Sequence, residues 1–263
     1  MNNSFYPGFD IEPTINPMGF RYGPGVFGPE VENRTLDAIR PSLMDSTCSG
    51  PDIVYSIAMD VGKNAHRALL NKMHLLYGAV TYATGRLGCE PVRSQGHIHA
   101  VSRFSGLSTP EVYEIWSGEA IIYMQERAED CPGRCFAVYA HPGDVVIVPP
   151  FWAHATINAG TDPTIPMSFG AWCVRDYGFE YTGIRAHGGI AWFPVFDRDG
   201  LLTWQENPAY KKSKLICKTS DSHPELGIVK GEAIYSTFEK DPETFSYVVN
   251  PAIMADVWKS YIP

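Results

Sequence analysis

The feature that most constrains this chain is a succession of short β-branched and aromatic runs separated by turn residues. From Asp52 onward these runs are Ile53 to Val61, Leu75 to Thr84, Ala120 to Gln125, Phe136 to Ala140, Val145 to Val148, Thr156 to Asn158, Met167 to Val174 and Ile190 to Phe196. Each is strand-like in length and composition, and a series of them predicts an all-β sandwich or barrel. No internal repeat or low-complexity tract interrupts the series, so a single barrel over residues 51–200 is expected. Residues 1–50 are rich in Pro, Gly, Asn and aromatics and show no long periodic segment, which predicts an irregular N-terminal arm. Its bulky groups, Phe5, Tyr6, Phe9, Phe20, Tyr22 and Phe27, are those of an arm packed on the body and not of a disordered tail. Residues 201–263 form a C-terminal extension, expected to pack on the barrel or on a second copy.

Two segments break the strand pattern. Lys63 to Met73 is helix-like in composition. Asn250 before Pro251, followed by Ile253, Met254, Val257 and Trp258, predicts a short capped helix with one apolar face.

Charge and cysteine usage narrow the function. Lys+Arg 21 against Asp+Glu 29 gives a net charge of −8, which excludes a global basic field for nucleic acid or anionic lipid. A phosphate-bearing ligand therefore needs local donors. The first residues lack a basic stretch followed by an apolar one, and no run approaches the roughly 18 apolar residues of a membrane helix. A soluble, cytoplasmic protein is expected, with its six cysteines reduced. Cys131 and Cys135 have no second pair at finger-like spacing and read as ordinary thiols.

Against this background four residues stand out as a metal-ligand set. Gln95-Gly96-His97-Ile98-His99 places two imidazoles at i and i+2, on one face of an extended strand. His154 falls in Phe151-Trp152-Ala153-His154-Ala155-Thr156, and Glu111 opens another strand. Any one histidine in a strand is ordinarily packed or solvated, but three imidazoles and a carboxylate at mutually consistent spacing suit one divalent transition metal per subunit. Iron(II) is the leading expectation, with manganese(II), nickel(II) or zinc(II) as alternatives.

These segments resemble the two motifs of the cupin superfamily. HPGDVVIVPPFWAHATIN carries Gly143, Pro149, His154 and Asn158 at the spacing of the second motif. The first has His97, His99, and Glu111 with six residues between it and Gly118; eleven residues (AVSRFSGLSTP) stand between His99 and Glu111, more than cupins ordinarily have. Lengthening a hairpin loop costs little in closure entropy, so the assignment of Glu111 stands. The resemblance implies a double-stranded β-helix, or jelly-roll barrel, with the arm and a helix-containing extension outside it.

SQGHIHA, PEVYEIWSGEA and PPFWAHATINAG are more narrowly similar to the cupin-type, metal-dependent glucose-6-phosphate isomerases, over roughly residues 34–200. That resemblance implies metal ligation by His97, His99, Glu111 and His154, and a sugar-pocket role for Tyr113. It also implies a phosphate site from Ser94, the Gly96 backbone, Tyr55, Tyr181 and Thr81, and places Trp172 where the family has a sugar-facing tyrosine. Phe179 replaces a family histidine, for which His187 or a metal-bound water is the expected substitute. A small-molecule sugar phosphate is the implied partner, and barrels of this kind commonly pair, so a homodimer is expected.

The implied reaction interconverts glucose 6-phosphate and fructose 6-phosphate, a step of glycolysis and gluconeogenesis, with Glu111 and Tyr113 as the catalytic pair. Proton transfer through Glu111 and a hydride shift are both compatible with the residues. An iron cupin dioxygenase would use the same four ligands, and Phe179 and Trp172 fit a non-catalytic sugar-phosphate binder. The hydroxyls around Ser94 suit a phosphate better than the substrate of an oxygenase.

Overall fold

The computed structural model describes residues 4–263. Two mainly antiparallel sheets face each other, as expected of an all-β chain. Strands β1 (Ile11–Ile15) and β2 (Met18–Tyr22) form a hairpin in the arm, and β3 (Glu32–Thr35) leads into the body. The body comprises β4 (Ile53–Met59), β5 (Leu75–Tyr82), β6 (Glu111–Ser117), β7 (Ala120–Gln125), β8 (Cys135–Ala140), β9 (Val145–Val148), β10 (Ala153–Asn158) and β11 (Met167–Val174). After it come β12 (Trp192–Phe196), β13 (Leu202–Glu206) and β14 (Leu215–Thr219). One sheet runs β9-β6-β11-β5-β4-β3 and the other β10-β7-β8-β14.

The barrel is not confined to residues 51–200. The arm supplies the edge strand β3, and the extension supplies β14, which runs parallel to β8. The helix-like segment forms a 3-10 turn (Asn64–His66) continuing into α1 (Arg67–Lys72). Beyond the short α2 (Thr182–Ala186), the extension holds α3 (Ile234–Lys240), α4 (Ser246–Val249) and α5 (Ala255–Ser260). Asn250 does not cap with its side chain; Pro251–Met254 instead makes a 3-10 turn ahead of α5, and Trp258 Nε1 donates to Pro251 O at 2.8 Å.

Side-chain alternation divides each strand between two apolar layers. On β6, Glu111, Tyr113 and Ile115 face the space between the sheets, while Val112 and Trp116 face outward. Ile122 and Met124 from β7 and Phe136 and Val138 from β8 close the inner layer from the other side. The outward face is buried too, under Phe9 of the arm and Tyr235, Phe238, Phe245 and Tyr247 of the extension. Because both faces are covered, the strands are apolar almost throughout instead of alternating apolar and polar. Gly170 makes this possible at the centre of β11: a Cβ there would stand 2.2 Å from Trp116 Cζ2.

The extension is fastened to β6 by a buried carboxyl. Glu114 accepts from the Ile234 amide at 2.7 Å and from Trp116 Nε1 at 3.1 Å, and Trp172 Nε1 donates to Ile234 O at 3.3 Å. Burial pushes the Glu114 pKa from 4.5 up to about 8, although the two donors pull the other way. A folded-state pKa raised above the unfolded value means that the folded chain binds the extra proton. Its stability is therefore full below about pH 4.5 and declines as pH rises towards about 8. We expect Glu114→Gln to remove this decline, on the order of a few kcal/mol across that range. Thermal unfolding between pH 5 and 9 checks it; a wild-type and variant that fall in parallel would contradict the assignment.

Candidate metal centre

The segment Arg93–His97 and β10 run antiparallel and hold two imidazoles in register. His97 N donates to His154 O at 3.0 Å, and His154 N donates to His97 O at 2.9 Å. His99 sits in the two-residue strand Ile98–His99, paired with Phe179–Glu180. Glu111, from the first position of β6, meets the three rings from the opposite sheet. One ligand atom from each of the four residues lies within 4.8 Å of the others.

The details fit a cation. His99 Nδ1 lies 2.8 Å from Thr109 O and His154 Nδ1 3.2 Å from Trp152 O, so each carbonyl fixes the proton on Nδ1 and turns the Nε2 lone pair inward. His97 Nε2 and His154 Nε2 are buried without a hydrogen-bond partner, a costly arrangement that a metal ion would relieve. Burial drives the His97 pKa well below the usual imidazole range, reinforced by His154 and His99, and lowers that of His154 as well. Both are thus neutral, the form that ligates. Burial opposes ionisation of Glu111, but the imidazoles of His154 and His99 beside it outweigh that cost and hold the carboxyl well below its ordinary range. Its Oε2 lies 3.1 Å from His99 Nε2.

Two further donors orient Glu111. Tyr113 Oη donates to Oε2 at 2.6 Å, and Cys173 Sγ donates to Oε1 at 3.0 Å. Burial raises both pKa values well above the ordinary ones, so each keeps its proton. Cys173 escaped the sequence reading: a lone cysteine near a strand end carries no signal of its own, although its inward parity with Phe169 and Ala171 on β11 was available.

The cavity beside the ligands is lined by Tyr55, Tyr82, Ser94, Tyr113, Phe169, Phe179 and Tyr181, with His97 and Glu111 at its floor. Tyr55, Ser94, Tyr113 and Tyr181 are thus gathered in its lining, and three expected residues, Trp172, Thr81 and Gly96, are not. Trp172 is fully buried on the outward face of β11, stacked on Tyr235 with ring centroids 5.4 Å apart. Thr81 faces outward on β5, beside Ser56 and Ser168, while its neighbours Val80 and Tyr82 reach the cavity. Both residues have the parity that faces away from the cavity, and one residue reverses the face of a strand.

Gly96 has φ of +90°, and a Cβ there would lie 2.9 Å from Ile190 Cγ2. Its glycine is demanded by the turn and by Ile190 behind it. His187 is not a substitute for the missing histidine: it stacks on Tyr210 and contacts the Gly183 carbonyl, away from the cavity lining. Phe179 instead sets its ring edge-on to His97, centroids 4.6 Å apart. The long loop before Glu111 has a role of its own, since Thr109 orients His99 and Ser108 Oγ accepts from the Phe151 amide at 3.1 Å.

An all-β chain with three imidazoles and a carboxylate converging at the floor of a hydroxyl-lined cavity is a candidate metalloenzyme. Residues 40–211 match the family described as glucose-6-phosphate isomerase (GPI), and the chain belongs to that family of isomerases. It is similar to a glucose-6-phosphate isomerase of Pyrococcus furiosus, 33% identical over 140 residues that make up 51% of this chain and 67% of the relative. A glucose-6-phosphate isomerase of Sinorhizobium medicae is 27% identical over 139 residues, 52% of this chain and 59% of the relative. Among solved structures, a cupin superfamily protein of Desulfitobacterium hafniense aligns with 39% of this chain and 68% of its own at 18% identity, with a TM-score of 0.25.

Substitution at the centre tests it. His154→Ala should leave a folded chain without bound metal, and Cys173→Ala should weaken metal retention by about 10- to 100-fold through loss of a Glu111 contact. Metal content after competition with a chelator reads both, and a His154→Ala protein retaining one ion per chain would disprove the site.

Proposed function

We propose that the chain is a metal-dependent aldose–ketose isomerase interconverting glucose 6-phosphate and fructose 6-phosphate. The observation that carries this reading is the pair of unpartnered nitrogens of His97 and His154, clustered with Glu111, where His97 and Glu111 line a cavity walled by Tyr55, Ser94, Tyr113 and Tyr181. Membership of the isomerase family supplies the reaction class. Iron(II) is the proposed ion, held by His97, His99, Glu111 and His154; it would supply Lewis-acid polarisation of adjacent sugar oxygens.

The protein's own groups then have distinct tasks. Two donors, Tyr113 and Cys173, rest on the Glu111 carboxylate, and a cation held by it would draw further on its lone pairs, so its basicity is reduced. A carboxylate so engaged is a poor base towards a C–H bond, which favours a hydride moving between C1 and C2 while a proton moves between O1 and O2. Tyr113 is placed to handle that proton: its hydroxyl stays protonated, lines the cavity and rests on Glu111. Phe169, Phe179 and Tyr82 exclude water from the open-chain sugar.

The test is an anaerobic assay of metal-loaded protein with fructose 6-phosphate. Turnover is expected with iron(II), and its absence with iron, manganese, nickel and zinc alike would refute the isomerase reading. Tyr113→Phe should lower kcat by about 10- to 100-fold while metal content is kept. In the reverse direction, glucose 6-phosphate deuterated at C2 should carry its label into C1 of fructose 6-phosphate in ordinary water; complete wash-out would restore Glu111 as the base.

A further inference from the structure

We propose that Arg34, on the edge strand contributed by the arm, is the cation that binds the phosphate of the substrate at the cavity mouth. This rests on the reading above that the ligand is a phosphorylated sugar. It lies outside the stretch matched by the isomerase family, which begins at residue 40.

Placement is the first argument. Arg34 pairs with Tyr55 and Glu32 with Ile57 across β3 and β4, and both Tyr55 and Ile57 line the cavity. Directly opposed residues share a sheet face, so Arg34 and Glu32 overhang the same opening. The alternate residue Asn33 points the other way, accepting from Ser56 Oγ at 2.7 Å. Burial raises the pKa values of Tyr55 and Tyr181, and the positive charge of the nearby Arg34 guanidinium offsets part of the rise in each.

Charge is the second argument. No lysine or arginine is among the residues that line the cavity, and a phosphate dianion entering a protein of net charge −8 needs a positive partner. Arg185 also lies against Tyr181, 5.0 Å from the ring centroid, but its Nε already donates to Gln95 Oε1 at 3.0 Å and its Nη2 to Ala38 O at 3.3 Å. Among the described residues Arg34 has only Glu32 as an ion-pair partner, and that carboxylate is 61% exposed. A pair of that kind contributes little to stability. An arginine that merely protected a sheet edge would extend into solvent; the Arg34 side chain is 20% exposed. The guanidinium fork matches phosphate geometry, so phosphate can displace Glu32 without leaving a buried charge unpaired.

The experiment compares metal-loaded wild type, Arg34→Gln, Arg34→Lys and Glu32→Gln by calorimetric titration with inorganic phosphate and by steady-state kinetics with fructose 6-phosphate. Arg34→Gln should weaken phosphate binding and raise KM by about tenfold or more, the loss falling on KM and not on kcat, and Arg34→Lys should restore part of it. Glu32→Gln should tighten phosphate binding several-fold, about what loss of an exposed competing carboxylate supplies. Phosphate binding equal to wild type in Arg34→Gln, or no phosphate binding by the wild type, overturns the proposal. Should Arg34→Gln fail to fold, unchanged affinity in Glu32→Gln overturns it instead. A wild type that binds phosphate but does not turn over fructose 6-phosphate refutes the isomerase reading alone, and the phosphate titrations still decide the role of Arg34.

Discussion

Two backbone hydrogen bonds exchanged between His97 and His154 underlie the rest of the site. They dock a segment that is not itself a regular strand onto β10, and so fix the separation of two imidazoles before any side chain is considered. The same segment is anchored at its other end by Arg93, which is fully buried. Arg93 Nε donates to Glu90 Oε1 at 2.7 Å, and its other nitrogens reach the carbonyls of Ser94 and Ser42. Breaking one partner of a buried ion pair leaves an uncompensated charge, so this anchor is costly to loosen. Rigid ligands follow from a rigid backbone. The carbonyls of Thr109 and Trp152 only have to set the tautomers of His99 and His154.

Much of this was legible in the residues themselves. Strand β7, Ala120 to Gln125, and strand β11, Met167 to Val174, fall where the β-branched runs lie, because such runs have no competing local structure to adopt. The four ligands were legible because their spacing is set by strand geometry, and a spacing survives without coordinates. Parity was harder to read. Thr81 and Trp172 have suitable chemistry but face outward, and where both faces of a strand are buried the apolar pattern does not tell inside from outside. Arg34 and Cys173 were invisible for a different reason: each acquires its meaning from a neighbour distant in sequence, Tyr181 in one case and Glu111 in the other. The extension, too, gave little sign that β14 would complete a barrel sheet, since its alternation is that of an exposed edge.

The loop before Glu111 shows how a departure from a family pattern can acquire a structural task. Eleven residues separate His99 from Glu111, and the last of them before Pro110 turns its carbonyl to His99. Ser108 holds Phe151, which adopts φ of +70°, at the start of the turn into β10. The lengthened connection thus touches both halves of the ligand set. It joins the candidate ligand cluster to the surface through backbone and hydroxyl contacts rather than through packing alone.

Strand β6 carries two buried carboxyls three residues apart, and the pleat sends them to opposite sides. Glu111 is held ionised among imidazoles, and Glu114 is held protonated beneath the extension. The thickness of a single strand therefore separates an environment that requires a negative charge from one that rejects it. Evolution of this strand is correspondingly restricted. Side chains can be exchanged within either face, but inserting or deleting one residue between these two glutamates would put both on the same side. One carboxyl would then meet the wrong surroundings, with either the metal centre or the seat of the C-terminal extension left without its acid.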